Sequence, residues 1–167
     1  IGIAFDGDAD RCLAVDELGN LIDGDQIMAA CGLDMLRKGK LSGDTVVATV
    51  MSNLGLHQFV KEHGMKLECT NVGDRNVLER MLEKGYAIGG EQSGHMIFLE
   101  YATTGDGELT ALQILDLLRR SGKKASEVFG TCRRFPQELI NVPVADNAAK
   151  QAIMASAELA QAVAGEE

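Results

Sequence analysis

The 167 residues suffice for one modest domain, or for one domain with pieces of its neighbours. A composition 46% hydrophobic and 25% charged is that of a soluble globular protein, and a formal net charge of -9, with Lys and Arg in short scattered pairs, excludes a nucleic-acid surface, which needs clustered cations. No apolar run reaches membrane-spanning length, no signal peptide opens the chain, and the four scattered cysteines form no Cys-x-x-Cys pair, which reads as a cytoplasmic protein with reduced thiols and no zinc site.

The chain opens on Ile1–Phe5, a short apolar run that predicts a buried strand. Its start inside a strand, without an initiator Met, predicts a fragment. Asp6-Gly7-Asp8-Ala9-Asp10-Arg11 follows. Carboxylates crowded in this way repel unless a cation gathers them, and hard cations such as Mg²⁺ take carboxylate oxygens. A solvated acidic turn is the plain alternative. Asp6, Asp8, Asp10 and Glu17 also stand at EF-hand ligand positions, but Arg11 occupies the position where that loop requires Gly. An aspartyl phosphotransferase, with Asp6 as nucleophile, is a further reading. Both rank below a magnesium loop because each lacks one defining residue.

Cys12–Asp16 predicts a second strand, turned at Leu18-Gly19-Asn20 towards Leu21-Ile22. Asp25 is expected to cap a helix whose broad apolar face holds Ile27, Met28, Cys31, Met35 and Leu36, ending at Gly39. Thr45–Val50 reads as a strand buried on both faces. Helical pattern over Asn53–His63, strand over Lys66–Thr70, helix over Asp74–Lys84, strands at Tyr86–Ile88 and Met96–Leu99, and a helix over Thr110–Arg120 complete the series. Strand and helix alternate with short connections. This predicts an α/β fold: a layered α/β/α domain with a mixed, largely parallel sheet, plus partial flanking domains. From Arg134 the character changes. Gln137–Val144 is strand-like but broken by Pro143, and Ala-rich Asn147–Val163 reads as one helix with Asn147 as cap. We place boundaries at 1–24, 25–133 and 134–167; the last stretch is too small to bury a core of its own.

A second constellation follows the Ala87-Ile88 strand: Gly89-Gly90-Glu91-Gln92-Ser93-Gly94-His95. On an extended backbone Glu91, Ser93 and His95 project to one side, and a carboxylate, a hydroxyl and an imidazole suit the polar groups of a sugar. Thr70-Asn71-Val72-Gly73-Asp74-Arg75 lies at a strand end feeding a helix, where anions are favoured, and Arg75 adds a fixed charge. Both loops are expected at the carboxyl ends of strands, where open α/β sheets bind ligands. Taken singly, each reads as an ordinary Gly-rich turn; with the acidic loop they point to a site.

At these residues the chain resembles the phosphohexomutase superfamily, most closely its bacterial phosphoglucosamine mutase branch. Asp6–Arg11 looks like the magnesium loop and Gly90–His95 like the sugar-binding loop, while Thr70–Arg75 and Thr103-Thr104-Gly105-Asp106-Gly107 are similar to that branch. The likeness runs from Ile1 to about Val144 and covers the end of the second domain, the third, and the start of the fourth. It implies interconversion of a hexosamine 6-phosphate and 1-phosphate through a phosphoserine and a bisphosphorylated sugar. By the same likeness Asp6, Asp8 and Asp10 hold Mg²⁺ and Arg11 stabilises the transferring phosphoryl group. Glu91 and Ser93 hold sugar hydroxyls, and His95 and Arg75 contact the sugar or its phosphate. A neighbouring phosphomannomutase or phosphoglucomutase specificity, or a non-catalytic metal- or sugar-binding module, is the alternative. Neither a Ser-His-Asn-Pro nucleophile run nor an Arg-Pro-Ser-Gly-Thr phosphate clamp occurs here. The chain is therefore expected to be inactive alone and to partner missing domains of the same protein, with no nucleic-acid or membrane partner. Nothing in the sequence fixes an oligomeric state.

Overall fold

A computed structural model describes residues 1–165. Residues 1–136 form one compact unit and the remainder a second, smaller one.

The first unit begins with an antiparallel sheet of β1 (Gly2–Phe5), β2 (Cys12–Val15) and β3 (Leu21–Ile22), in that order. The β2–β3 turn is held by Asp16, whose carboxylate accepts from the backbone N–H groups of Leu18 and Asn20, each at 2.8 Å. The strand at β1 is as expected but its burial is not: most of it is exposed, Phe5 to 46%. An apolar strand is buried only where another layer covers it. β1 is an edge, paired with β2 alone among the described residues.

A second sheet has the order β5-β4-β6-β7, formed by β4 (Thr45–Thr49), β5 (Lys66–Thr70), β6 (Ile88–Gly90) and β7 (Met96–Phe98). β4 pairs in parallel with β5 and β6, and β7 runs antiparallel to β6, so the sheet is mixed and largely parallel, as expected. α2 (Leu54–Glu62) and α3 (Asp74–Lys84) are its crossovers. α1 (Gly24–Arg37), α4 (Gly107–Ser121) and α5 (Ala125–Phe129) complete the unit.

The two faces of β4 show why the fold is layered. Val46 and Ala48 join the large core with Ile27 and Met28 of α1, Leu56 and Phe59 of α2, and Ile114 of α4. Val47, pointing the other way, packs with Val77 and Met81 of α3 and Ile97 of β7. All five residues of β4 are buried, the pattern of a central parallel strand with helices on both faces. Each fully buried aliphatic side chain contributes about 1.5–3 kcal/mol.

Three local expectations change. The cap of α1 is Asp23, not Asp25: Asp23 accepts from the Gln26 N–H (3.1 Å) and Gln26 Oε1 accepts from the Asp23 N–H (3.3 Å), a reciprocal box that the spacing of three allows. β6 begins two residues later than Tyr86, because the Tyr86 N–H closes the end of α3 on Met81. α4 starts at Gly107, capped by Asp106 through the Leu109 N–H.

In the second unit, Gln137–Val144 is not a strand; Leu139, Ile140 and Val142 are about 70% exposed. Pro143 removes a ladder donor and no described strand lies beside it. The expected single helix is two, α6 (Asn147–Met154) and α7 (Ala157–Ala164). Asp146, rather than Asn147, caps α6, and Ser156 caps α7 with a hydrogen bond from Leu159, which breaks the run.

Candidate active site

The acidic loop joins β1 to β2. Oxygens of Asp6, Asp8 and Asp10 all lie within 4.8 Å of one another, with Asp6 and Asp8 exposed and Asp10 half-buried. The loop curls because the Ala9 N–H bonds Asp6 O (3.3 Å) and Ala9 takes a left-handed φ of 58°, unfavourable for a residue with a Cβ. Arg11 closes it: its N–H bonds Asp6 Oδ1 (3.3 Å), and its Nε lies 3.7 Å from both Asp6 and Asp10. One guanidinium against three carboxylates leaves net negative charge, open to solvent and suited to a hard cation. Glu17, which an EF-hand would need as a ligand, is elsewhere: its carboxylate accepts from the Ser126 hydroxyl and N–H at the start of α5.

The loop after β6 is not extended, as the alternation of Glu91, Ser93 and His95 implied. Gly94, at φ 96°, folds it into a turn closed by Gly94 N–H to Glu91 O and Glu91 N–H to His95 O, each 3.0 Å. The three side chains therefore have different surroundings. Ser93 is exposed. Glu91 is half-buried, and its Oε1 accepts from the Gly73 N–H at 2.9 Å, tying this loop to the one after β5. His95 is 5% exposed and points into the protein, with Nδ1 3.0 Å from Asp10 Oδ2 and Nε2 accepting from the Gly105 N–H at 3.1 Å.

Backbone contacts join the acidic loop and this turn. Arg11 and His95 form an antiparallel bridge, and the Cys12 N–H donates to Gly94 O at 3.1 Å. The expected constellation of Asp10, Arg11, Glu91, Ser93 and His95 thus sits on neighbouring stretches of backbone. Arg75 stands apart: its side chain is 86% exposed and pairs at 2.8 Å with Glu79, one turn along α3.

Asp25, which the sequence suggests only as a helix cap, belongs to this arrangement. It is 2% exposed, and its Oδ2 accepts from the Asn53 N–H (2.7 Å) and Gln92 Nε2 (3.3 Å). The Gly24 N–H adds a bond to Gln92 O at 3.0 Å. The start of α1 therefore grips the loop after β6 and the loop after β4 together. Burial pushes the Asp25 carboxyl above the usual carboxylate range, against the Asn53 bond that favours the charged form. The signal in the sequence was Asp23-Gly24-Asp25, where one acid fewer would cap the helix.

Residues 23–135 match the family described as Phosphoglucomutase/phosphomannomutase, alpha/beta/alpha domain III. The chain belongs to that family. The phosphoglucosamine mutase of Limosilactobacillus fermentum is 55% identical over 98% of this chain and 36% of its own length. That of Ruminiclostridium cellulolyticum is 62% identical over 86% of this chain and 32% of its own. Among solved structures, a phosphoglucomutase/phosphomannomutase family protein from Burkholderia thailandensis superposes with a TM-score of 0.70 at 27% identity, covering 78% of this chain and 28% of that one. The chain spans about a third of the length of the curated relatives it matches. Among the described residues no helix is long and apolar enough to cross a membrane.

Proposed function

We propose that this chain carries the cation loop and the sugar loop of a phosphoglucosamine mutase, the full-length enzyme interconverting glucosamine 6-phosphate and glucosamine 1-phosphate in the cytoplasm through a phosphoserine and a bisphosphorylated sugar. The observation that carries the reading is the convergence of Asp6, Asp8 and Asp10 within 4.8 Å, joined through His95 to the turn that holds Glu91 and Ser93. Identity above half with named phosphoglucosamine mutases supports the amino-sugar specificity over a phosphomannomutase or phosphoglucomutase.

The donor set suits Mg²⁺: all oxygen, anionic, and open on the solvent side, since that ion keeps several waters. When bound, the cation neutralises charge on the transferring phosphoryl group and polarises it. Asp6, Asp8 and Asp10 hold it. Arg11 lies beside Asp6 and Asp10 and places a guanidinium next to the same group, ready to offset its charge. With one Glu91 oxygen fixed on Gly73, the other and the Ser93 hydroxyl are left to orient the sugar in either direction. Arg75 reaches the substrate phosphate by leaving Glu79, an exposed pair worth little to keep.

The test is Asp8→Asn in the full-length enzyme, assayed on glucosamine, glucose and mannose phosphates. We expect wild type to prefer the glucosamine phosphate, the variant to lose about 10²–10³-fold in kcat with weakened Mg²⁺ affinity, and the 167-residue chain alone to show no turnover. Preference for mannose phosphate would move the reading to the neighbouring specificity. Full activity of Asp8→Asn would remove the cation loop from the reaction.

A further inference from the structure

We infer that Asp25 and Gln92 form one positioning unit for the sugar turn: Gln92, between Glu91 and Ser93, is an anchor tied to the start of α1 and does not read the sugar. The inference rests on the reading of Gly90–His95 as the sugar loop, and it assigns a role to a buried acid and an amide that the proposed function leaves unused.

Gln92 is held by its backbone and by its side chain. Its carbonyl O accepts from the Gly24 N–H at 3.0 Å, and its Nε2 donates to Asp25 Oδ2 at 3.3 Å. Two consecutive residues of α1 thereby fix one residue of the turn, which restrains its rotation as well as its place. The approach is close: a Cβ on Gly24 would lie 2.0 Å from Glu91 O and 3.0 Å from Gly94 N. With Gln92 committed to α1, half-buried Glu91 and exposed Ser93 are the side chains of this stretch left to meet a ligand. A turn already fixed in place does not have to be ordered when the sugar binds.

Asp25 is in turn held rigidly. Its Oδ2 takes the Asn53 N–H at 2.7 Å, beside the Gln92 bond. Asn53 caps α2, where its Oδ1 accepts from the Gly55 N–H (3.0 Å) and the Phe135 N–H (2.9 Å), and its Nδ2 donates to Phe135 O (2.8 Å). A chain of hydrogen bonds thus runs from the start of α2 through Asp25 to Gln92, and the turn shares the rigidity of two helix starts. Asp25 Oδ1 is buried and has no hydrogen-bond partner among the described residues, which costs stability. An apolar side chain at 25 would be free of that atom. Packing alone therefore calls for no carboxylate there; the bonds to Asn53 and Gln92 do.

The experiment uses the full-length enzyme and measures binding of glucosamine 6-phosphate and of glucose 6-phosphate by titration calorimetry in EDTA, so that no turnover intervenes. We expect Gln92→Leu and Asp25→Ala each to weaken both sugar phosphates about 3–10-fold and by equal factors. Because the two residues act through one bond, the double variant should fall no more than about twofold below Asp25→Ala. Asp25→Asn, which keeps an oxygen for Asn53 and Gln92, should stay within about threefold of wild type. General destabilisation would give neither the non-additivity nor this rescue. Wild-type affinity in Gln92→Leu, fully additive losses, or a loss in Asp25→Asn as large as in Asp25→Ala overturns the inference. So does a loss in Gln92→Leu confined to the glucosamine phosphate, since the amide would then be reading the amine. Gln92 is half-buried, so Gln92→Leu and its comparison of the two sugars decide the matter even where Asp25→Ala does not fold. Failure of wild type to bind either sugar phosphate would remove the sugar-loop reading and this inference with it; firm wild-type binding unmoved by Gln92→Leu removes this inference alone.

Discussion

Gly24→Ala separates helix propensity from tertiary contact. Gly24 is the first residue of α1, where alanine should by propensity gain up to about 1 kcal/mol. The position is not free, however. A Cβ there would lie 2.0 Å from Glu91 O and 3.0 Å from both Glu91 C and Gly94 N, all backbone atoms of the turn after β6. Contacts below 3.0 Å are essentially never seen, so the turn or the helix must retreat by at least about 1 Å. Retreat lengthens the 3.0 Å bond from the Gly24 N–H to Gln92 O and the 3.3 Å bond from Gln92 to Asp25. Overpacking costs about 1–3 kcal/mol and the weakened main-chain bond about 1 kcal/mol, against the propensity gain. The expected net loss is about 1–3 kcal/mol. A catalytic loop displaced by about 1 Å should lower kcat/KM about 10²-fold. Urea unfolding and steady-state kinetics of the full-length enzyme read both quantities. Gly85→Ala is the control: Gly85 has φ 70° but nothing within 4 Å of its would-be Cβ, so it should lose about 1–2 kcal/mol of backbone energy and leave the kinetics alone. If Gly24→Ala matches wild type in both stability and kcat/KM, the turn is not seated on α1 and the reasoning fails.

Asp25 gives a pH signature. Its folded carboxyl ionises above the unfolded value of 3.8, so between the two the folded state holds the extra proton. The contribution of Asp25 to stability is therefore complete below about pH 4 and declines as pH rises through the folded pKa. Asp25→Asn should lose less stability than wild type between pH 4 and 7, and parallel profiles would refute the assignment. In the core, Ile114 is fully buried on α4 against the face of the sheet that carries Val46 and Ala48; Ile114→Ala should cost about 2–5 kcal/mol by thermal unfolding, with less than 1 kcal/mol meaning that α4 does not close that face.

Regular elements were legible wherever local pattern and burial agree. β5 and α3 fall on their predicted residues, and β4 and α2 within one residue of theirs at each end: α2 and α3 combine a helical period with Asn53 or Gly73 before and Gly64 or Gly85 after, and β4 is a continuous β-branched and apolar run. Local pattern misleads where the outcome depends on what lies alongside. In β1 only Ile3 packs against the core while Ala4 and Phe5 stay exposed, and Gln137–Val144 has β-branched residues but no partner strand among the described residues. Asp25 looked like a cap, and only the packing of α1 against the loops after β4 and β6 turns it into a buried clasp.

The site divides in the same way. Asp6, Asp8 and Asp10 are brought together by two-residue spacing on one tight loop, so sequence alone determined both the cluster and its charge. The direction of Glu91 and His95 was not local: a left-handed Gly94 folds their turn, Glu91 is held by Gly73, and His95 meets Asp10 across a sequence separation of 85 residues. Residue types set which chemistry was available. Tertiary structure decided which carboxylate His95 meets and which backbone Glu91 grips, because hydrogen bonds between distant segments exist only once the layers have packed.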